Sequence, residues 1–347
     1  MCLSRPHPIS IIIPVYNAEL YVREAVVSAL AEPETGEVIL VEDGSTDGSA
    51  AVCEQLAASC EKVRLYRHPD KQNKGAGASR NLGIRNASCP HIAFLDADDY
   101  FLPGRFKAAK EIMTNDPTMD GVCEAVGTKF ESAEAKERYL RQGKEELTTM
   151  HVCAEPAELF FQMAPVGSGG FFHTAGWTIK KSAAEKAGLF DEHLRLHQDT
   201  IFFHKVAAVC RIKQGSMDQP VAMRRVHNAN RITMQRSLAE RYRARRLAFE
   251  ALYAWCKRSA GDKEQKATLD LLVREVAKPP LKNPSELRFR FSSFSLLIRY
   301  AFRNPDVATT AEYRKILRSC FEEKPGQWMT LYEWGWLVKD AFRRSRS

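Results

Sequence analysis

The stretch His91-Ile-Ala-Phe-Leu-Asp-Ala-Asp-Asp-Tyr100 runs apolar through four residues and then sets three carboxylates, Asp96, Asp98 and Asp99, within four positions. A short apolar run that ends abruptly in acids reads as a buried strand whose carboxyl end leaves the core. Carboxylates this close repel one another, and burying one without a partner raises its pKa or destabilises the fold. Something positive belongs beside them. One reading is structural: Asp99 stands ahead of Tyr-Phe-Leu-Pro-Gly-Arg and is assigned to cap the helix that follows. Capping accounts for one acid of the three. The other reading is a divalent cation carrying an anionic ligand, because carboxylate oxygens suit hard ions such as Mg²⁺ or Mn²⁺.

Working outward from that strand, the first hundred residues repeat one pattern. Strands are expected at Ile9–Val15, Glu37–Val41, Val63–Arg67 and Ile92–Leu95, with helices between them over Ala18–Leu30, Ser49–Ser59 and Ala78–Asn86. Such βαβ units form a doubly wound, mostly parallel, Rossmann-like sheet, so the fold class is α/β. The ligand crevice of that architecture lies beyond the carboxyl ends of the strands. Those ends read Pro14-Val-Tyr-Asn17, Glu42-Asp43-Gly, His68-Pro69 and Asp96-Ala-Asp-Asp99. Acids from two strand ends facing one crevice favour a metal and ligand site over independent caps. The Gly-rich dinucleotide fingerprint is missing from the first turn, VYNAELY, which disfavours a nicotinamide dehydrogenase.

The rest of the chain is less regular. Gly167-Ser-Gly-Gly170, with Phe171, Phe172 and His173, reads as a loop over a site or as a turn. Ser182-Ala-Ala-Glu185 has the form of a capping box, closed by Gly188. From about Leu238 the pattern is helical, broken at Lys278-Pro-Pro280, Asn283-Pro284, Asn304-Pro305 and Pro325. Charge divides unevenly: residues 1–220 carry a balance of −6 and residues 221–347 one of +14. The basic part suits solvated helix faces, an anionic membrane surface or an anionic acceptor; without interleaved aromatics, nucleic acid is not expected. Nine scattered cysteines, none spaced C-x-x-C, point to free thiols in a reducing cytoplasm. No apolar run is long enough to span a membrane, and Ile9–Val15 reads as a first strand and not a signal peptide.

In order along the chain, ISIIIPVYNAELYVREAVVSAL, EVILVEDGSTDGS, NKGAGASRNLGI and HIAFLDADDYFLPGRF resemble the family 2 glycosyltransferases of the GT-A fold. The resemblance covers about residues 8–110 and continues more weakly through GWTIKKSAAEKAGLFDEHLRLHQDTIFF and RRVHNANRIT. It implies a catalytic domain over 1–233, with a nucleotide-binding half at 8–110 and an acceptor half at 111–233, followed by a basic helical region at 234–347. The activity implied is an inverting, metal-dependent transfer of a sugar from a nucleotide diphosphate donor, most often a UDP-sugar. The acceptor implied is a saccharide or lipid-linked saccharide of a bacterial surface polymer, met at the inner face of the cell membrane.

The resemblance also assigns residues. Pro14, Val15, Tyr16 and Glu19 line the nucleotide pocket, Asp43 accepts from the uracil ring, and Asn73, Gly75 and Arg80 complete the nucleotide site. Asp96 and Asp98 bracket Ala97 as the D-x-D motif, with Asp98 the direct ligand of Mn²⁺ or Mg²⁺ and His227 where some members supply another. Asp199, in the Gln198-Asp199 pair, takes the place of the general base, and His173, Trp177 and Gln198 are candidates for the acceptor or donor-sugar loop. Gln198 stands where the family often has Glu, and Glu42 where Asp is commoner. Three rival readings stand beside this one, and one of them makes the basic C-terminal region primary, as part of a membrane-surface or scaffold component. A sugar-nucleotide nucleotidyltransferase would want a Gly-rich loop with Arg and Lys that VYNAELY lacks, and a non-catalytic binding module would not need both Asp98 and Asp199.

Overall fold

A computed structural model of the chain describes residues 8–70, 72–227 and 237–277, together with a few positions between 301 and 314. The chain divides into two compact units, Met1–Gln235 and Arg236–Ser347.

The first unit opens with β1 (Ile9–Val15), buried at every position, as a parallel strand covered on both faces must be. There follow α1 (Val22–Ala31), β2 (Thr35–Glu42), α2 (Ser49–Ser59), β3 (Val63–Arg67), α3 (Ala76–Asn86) and β4 (His91–Phe94). Helix α1 starts later than Ala18 because Ala18–Tyr21 forms a separate turn, the Tyr21 and Val22 N–H groups both donating to the Ala18 carbonyl. The middle supplies β5 (Tyr100–Phe101), α4 (Lys107–Asn115), β6 (Gly121–Cys123), β7 (Val126–Phe130), α5 (Ala133–Arg141), β8 (Leu147–Thr148) and α6 (Leu159–Gln162). The unit closes with β9 (Trp177–Lys180), α7 (Lys181–Lys186), α8 (Gln198–Val209), β10 (Ile212–Gln214) and β11 (Ala222–Val226).

The main sheet has seven strands in the order β10-β6-β9-β4-β1-β2-β3. It is parallel throughout except for β9, which runs against both β4 and β6. In-register pairing of Val15 with Glu42 and of Glu42 with Arg67 brings the carboxyl ends of β1, β2 and β3 to one edge. The Leu95 N–H, donating to the Ile12 carbonyl at 3.1 Å, carries the β4 exit to that edge as well. A second sheet, β5-β11-β7-β8, stands beside it. One face of the main sheet packs Ile11, Ile13, Val38 and Leu40 against Val22 and Val26 of α1. The other buries Phe94 among Phe190, Phe202 and Phe203 in edge-on contacts. Each of these side chains, fully buried, is worth roughly 1.5–3 kcal/mol over exposure.

Two local expectations are corrected. Helix α7 begins at Lys181 with Lys180 as its N-cap and no side-chain cap, so Ser182 and Glu185 lie inside the helix and form no capping box. Its far end is as expected: Gly188, at φ +80°, lets its own N–H and that of Leu189 turn back to the Glu185 and Ala184 carbonyls. The Gly167–Gly170 segment is a turn, its Gly167 and Gly169 N–H groups bonded to the Met163 and Gln162 carbonyls.

In the second unit α9 (Leu238–Ser259) starts with a true capping box between Ser237 and Glu240, and α10 (Asp262–Ala277) packs against it. Leu252 and Cys256 of α9 and Leu272 and Val273 of α10 are fully buried. The Pro-rich breaks expected after residue 277 lie outside the described residues.

Candidate active site

Beyond the strand ends lies a cleft of about 560 Å³. The turn after β4 forms its floor, with the Asp99 N–H donating to the Asp96 carbonyl at 3.0 Å. That turn sends its three acids to different partners. Asp96 Oδ1 accepts from Arg80 Nη2 at 2.5 Å; Arg80, on α3, is 4% exposed and lies over the Phe190 ring. Asp98 Oδ2 faces His227 Nε2 at 3.3 Å. Asp99 points inward and accepts the Arg225 N–H at 2.9 Å. It does not cap a helix: the next one begins eight residues on, at Lys107, with Phe106 as N-cap. Burial, and then the neighbouring Asp98 and Asp96 charges, push the Asp99 carboxyl well above the usual carboxylate range.

His173 reaches the same floor, and one donor atom each from Asp96, Asp99 and His173 lie within 4.8 Å of one another. Burial lowers the His173 pKa, which favours the neutral ring. Because Nδ1 accepts from the Ala175 N–H at 3.3 Å, the neutral ring carries its proton on Nε2.

One wall is built by the ends of β1 and β2. Pro14, Val15, Tyr16 and Asp43 line it. Asp43 is almost fully buried and accepts the Lys74 and Gly75 N–H groups at 2.7 and 2.9 Å, which shapes the loop after β3 around its carboxylate. Gly75 sits at φ +93°, a conformation that disfavours a side chain, and the Arg195 guanidinium passes over it to donate to Asn73 Oδ1 at 3.2 Å. Asn73 and Gly75 therefore stand behind the wall. Glu19, expected in the pocket, does not line the cleft: its carboxylate accepts the Gly48 N–H at 2.9 Å and ties the loop after β1 to the start of α2.

The first turn of α8 also lines the cleft, through Gln198 and Asp199. Gln198 is 7% exposed and packs on α3, where a Cβ at Gly77 would lie 2.4 Å from its Oε1. Asp199 lines the cleft and accepts the Thr200 N–H at 2.8 Å. Trp177 does not reach the cleft. It is fully buried at the start of β9, stacked on Phe203 with centroids 4.2 Å apart, so its apolar area went to the core.

Among the contributors to the lining that the sequence reading missed are Tyr21, Arg195, His197, Arg224 and Arg225. His197 is the N-cap of α8 at φ +60°, and no spacing signal announces it. Arg224 and Arg225 were visible only as a basic pair. Asp99, Glu131 and Glu24, the partners of Arg225, are 94 to 201 residues away, and Thr128 and Tyr139, the partners of Arg224, are 96 and 85 residues away.

Comparison with known proteins gives this geometry a relation. The sequence model of glycosyl transferase family 2 matches residues 10–166. The succinoglycan biosynthesis protein ExoU of Rhizobium meliloti is 42% identical over 105 residues, which is 30% of this chain and 30% of that protein. The chain thus spans under a third of that relative's length in the match. Staphylococcus aureus TarS 1–349, solved with UDP-GlcNAc, superposes with a TM-score of 0.59 at 17% identity, over 90% of this chain and 91% of that one. The mannosyltransferase PcManGT of Pyrobaculum calidifontis, solved with GDP-Man and Mn²⁺, superposes with a TM-score of 0.51 at 16% identity, over 91% of this chain and 85% of that one. The α/β architecture is that of the GT-A fold, and residues 10–166 are similar to glycosyl transferase family 2.

Proposed function

We propose that the chain is an inverting glycosyltransferase of hexosyl or N-acetylhexosaminyl type. It moves a sugar from a UDP-sugar to an acceptor hydroxyl in the synthesis of bacterial surface polysaccharide or glycolipid. The observation that carries this reading is a single cleft lined both by the Asp96-Ala97-Asp98 turn and by Asp199, in a chain similar to family 2 over residues 10–166. TarS, solved with UDP-GlcNAc, supports the choice of donor.

The residues present fit a divalent cation. Asp98 and His227 offer an oxygen and a nitrogen donor on facing side chains, and such a set with phosphate and water suits Mn²⁺ or Mg²⁺. Asp96 is the weaker ligand, because the Arg80 guanidinium already occupies it. When bound, the ion acts as a Lewis acid that stabilises charge on the departing diphosphate. The protein's own groups do the rest. The wall of Pro14, Val15, Tyr16 and Asp43 receives the nucleoside, with Asp43 shaped for it by the Lys74 and Gly75 N–H groups. Arg80 holds Asp96 and adds positive charge beside the diphosphate. Asp199 takes the proton of the acceptor hydroxyl as that oxygen attacks the anomeric carbon opposite the leaving group, and one displacement inverts the centre. The enzyme works in the cytoplasm, with the basic residues 234–347 against the anionic inner face of the membrane.

Calorimetric titration of UDP tests the reading. Binding should require Mn²⁺, vanish with chelator and weaken at least about ten-fold in Asp98→Ala, the loss of one direct metal ligand. If UDP, GDP, CDP and dTDP all fail to bind with Mn²⁺ or Mg²⁺, the reading is wrong.

A further inference from the structure

Strand β11 enters the cleft as Arg224-Arg225-Val226 and delivers His227. Arg225 is 6% exposed, and nearly every donor it owns is used. Its backbone N–H bonds Asp99 Oδ1 at 2.9 Å and its Nε bonds the Asp98 carbonyl at 3.0 Å. Nη1 reaches Glu131 at 2.9 Å, on the loop after β7, and Nη2 reaches Glu24 at 2.5 Å, on α1. The guanidinium lies by the rings of Tyr21 and Tyr100, at 5.1 and 5.5 Å from their centroids. Tyr21 in turn packs on the His227 ring at 4.8 Å and donates its hydroxyl to Glu131 at 3.2 Å. One residue thus joins the acid turn to β11, α1 and the loop after β7, two residues before the imidazole that meets Asp98.

Ion pairs to half-exposed carboxylates contribute little by themselves, and the side chains of Glu24 and Glu131 are 51% and 34% exposed. What the arrangement does fix is the direction of the Asp98 backbone relative to β11. We infer that Arg225 is a positioning residue, clamping the Asp98 backbone to β11 so that the Asp98 carboxylate and the His227 imidazole face one cation. This rests on the metal reading of Asp98 given above.

A clamp and simple electrostatics at Arg225 have opposite effects on Mn²⁺ affinity. A guanidinium near a cation site repels the cation, and removing it also leaves Glu24 and Glu131 uncompensated. If Arg225 acted only through its charge, Arg225→Met would tighten Mn²⁺ binding. If it acts as a clamp, the same change weakens it. The experiment titrates Mn²⁺ into the full chain, with and without UDP, and reads bound metal by electron paramagnetic resonance alongside thermal stability. Arg225→Met should bind Mn²⁺ at least about ten-fold more weakly, the scale typical for lost outer-shell support of a ligand. Arg225→Lys keeps the charge but not the fork of donors, so it should weaken binding several-fold, and it serves alone if the Met variant does not fold. Unchanged or tighter Mn²⁺ binding in the folded variants overturns the inference. A wild-type chain that binds no Mn²⁺ overturns the metal reading itself, and the inference with it.

Discussion

Asp98, Asp99 and Asp199 illustrate what a single residue reveals about itself. The acids after β4 announce a site because their mutual repulsion must be answered by something positive. The answers differ: a guanidinium for Asp96, an imidazole for Asp98 and a backbone N–H for Asp99. Asp99 read as a cap because capping is a local pattern, whereas its partner lies 126 residues away. Trp177 could be read as a sugar platform or as core, and the stacked Phe203 decides for core. Asp199 carries the prediction at this scale. Asp199→Asn preserves shape and removes the proton acceptor, so transfer should fall about 10²- to 10⁴-fold, the usual weight of a general base. UDP affinity in the presence of Mn²⁺ should stay within about two-fold, since the change is remote from the nucleotide wall; steady-state transfer and calorimetry together check this. Full transfer by the variant would remove Asp199 from the role.

Elements carry the next layer. Helix α3 presses on β1 so closely that a Cβ at Gly83 would lie 2.4 Å from Ile12 Cγ2. Gly83→Ala should therefore destabilise the first unit by about 1–3 kcal/mol, the cost of overpacking, despite the better helix propensity of alanine. Denaturant unfolding measures it, and a gain in stability would mean that α3 shifts freely. Glu37 of β2 joins β1 and the approach to β4: its Oε1 accepts from Ser10 Oγ, Ser88 N and Ser88 Oγ at 2.6–2.7 Å. Burial alone would raise its pKa, but these hydrogen bonds and nearby Arg64 bring it below the ordinary value. A carboxyl lowered in the folded state stabilises above its unfolded pKa, about 4.3, and loses that contribution as pH falls through the folded value. Glu37→Gln should thus lower the melting temperature at pH 7, with the gap to wild type narrowing as the pH falls below about 4. A gap that does not change with pH would show that the charge is irrelevant. Helix ends were the least legible feature at this scale. Lys180 and not Ser182 caps α7, because the antiparallel pairing of β9 with β4 sets where the strand stops.

At the scale of the whole molecule, the charge balance of +14 over residues 221–347 favours attraction to an anionic surface. No helix among the described residues is long and apolar enough to cross a membrane. Peripheral attraction should show as co-sedimentation with vesicles containing anionic lipid, falling steeply as salt rises past about 0.1–0.2 M. Absent or salt-insensitive binding would sink that expectation. The α/β class, the places of the first four strands along the chain and the convergence of the acids at two of their ends were legible in the sequence alone. Hydrophobic periodicity is local, and the right-handed βαβ rule turns local order into topology. The tertiary structure alone decided the rest. Reversed β9 within the sheet, the second sheet carrying β11, the seating of Asp199 in one cleft with Asp98 and the bond from Arg225 to the Asp98 carbonyl all arise from pairings far apart in the chain. Such pairings are chosen by which buried polar groups can be satisfied together, a condition that no short window of sequence contains.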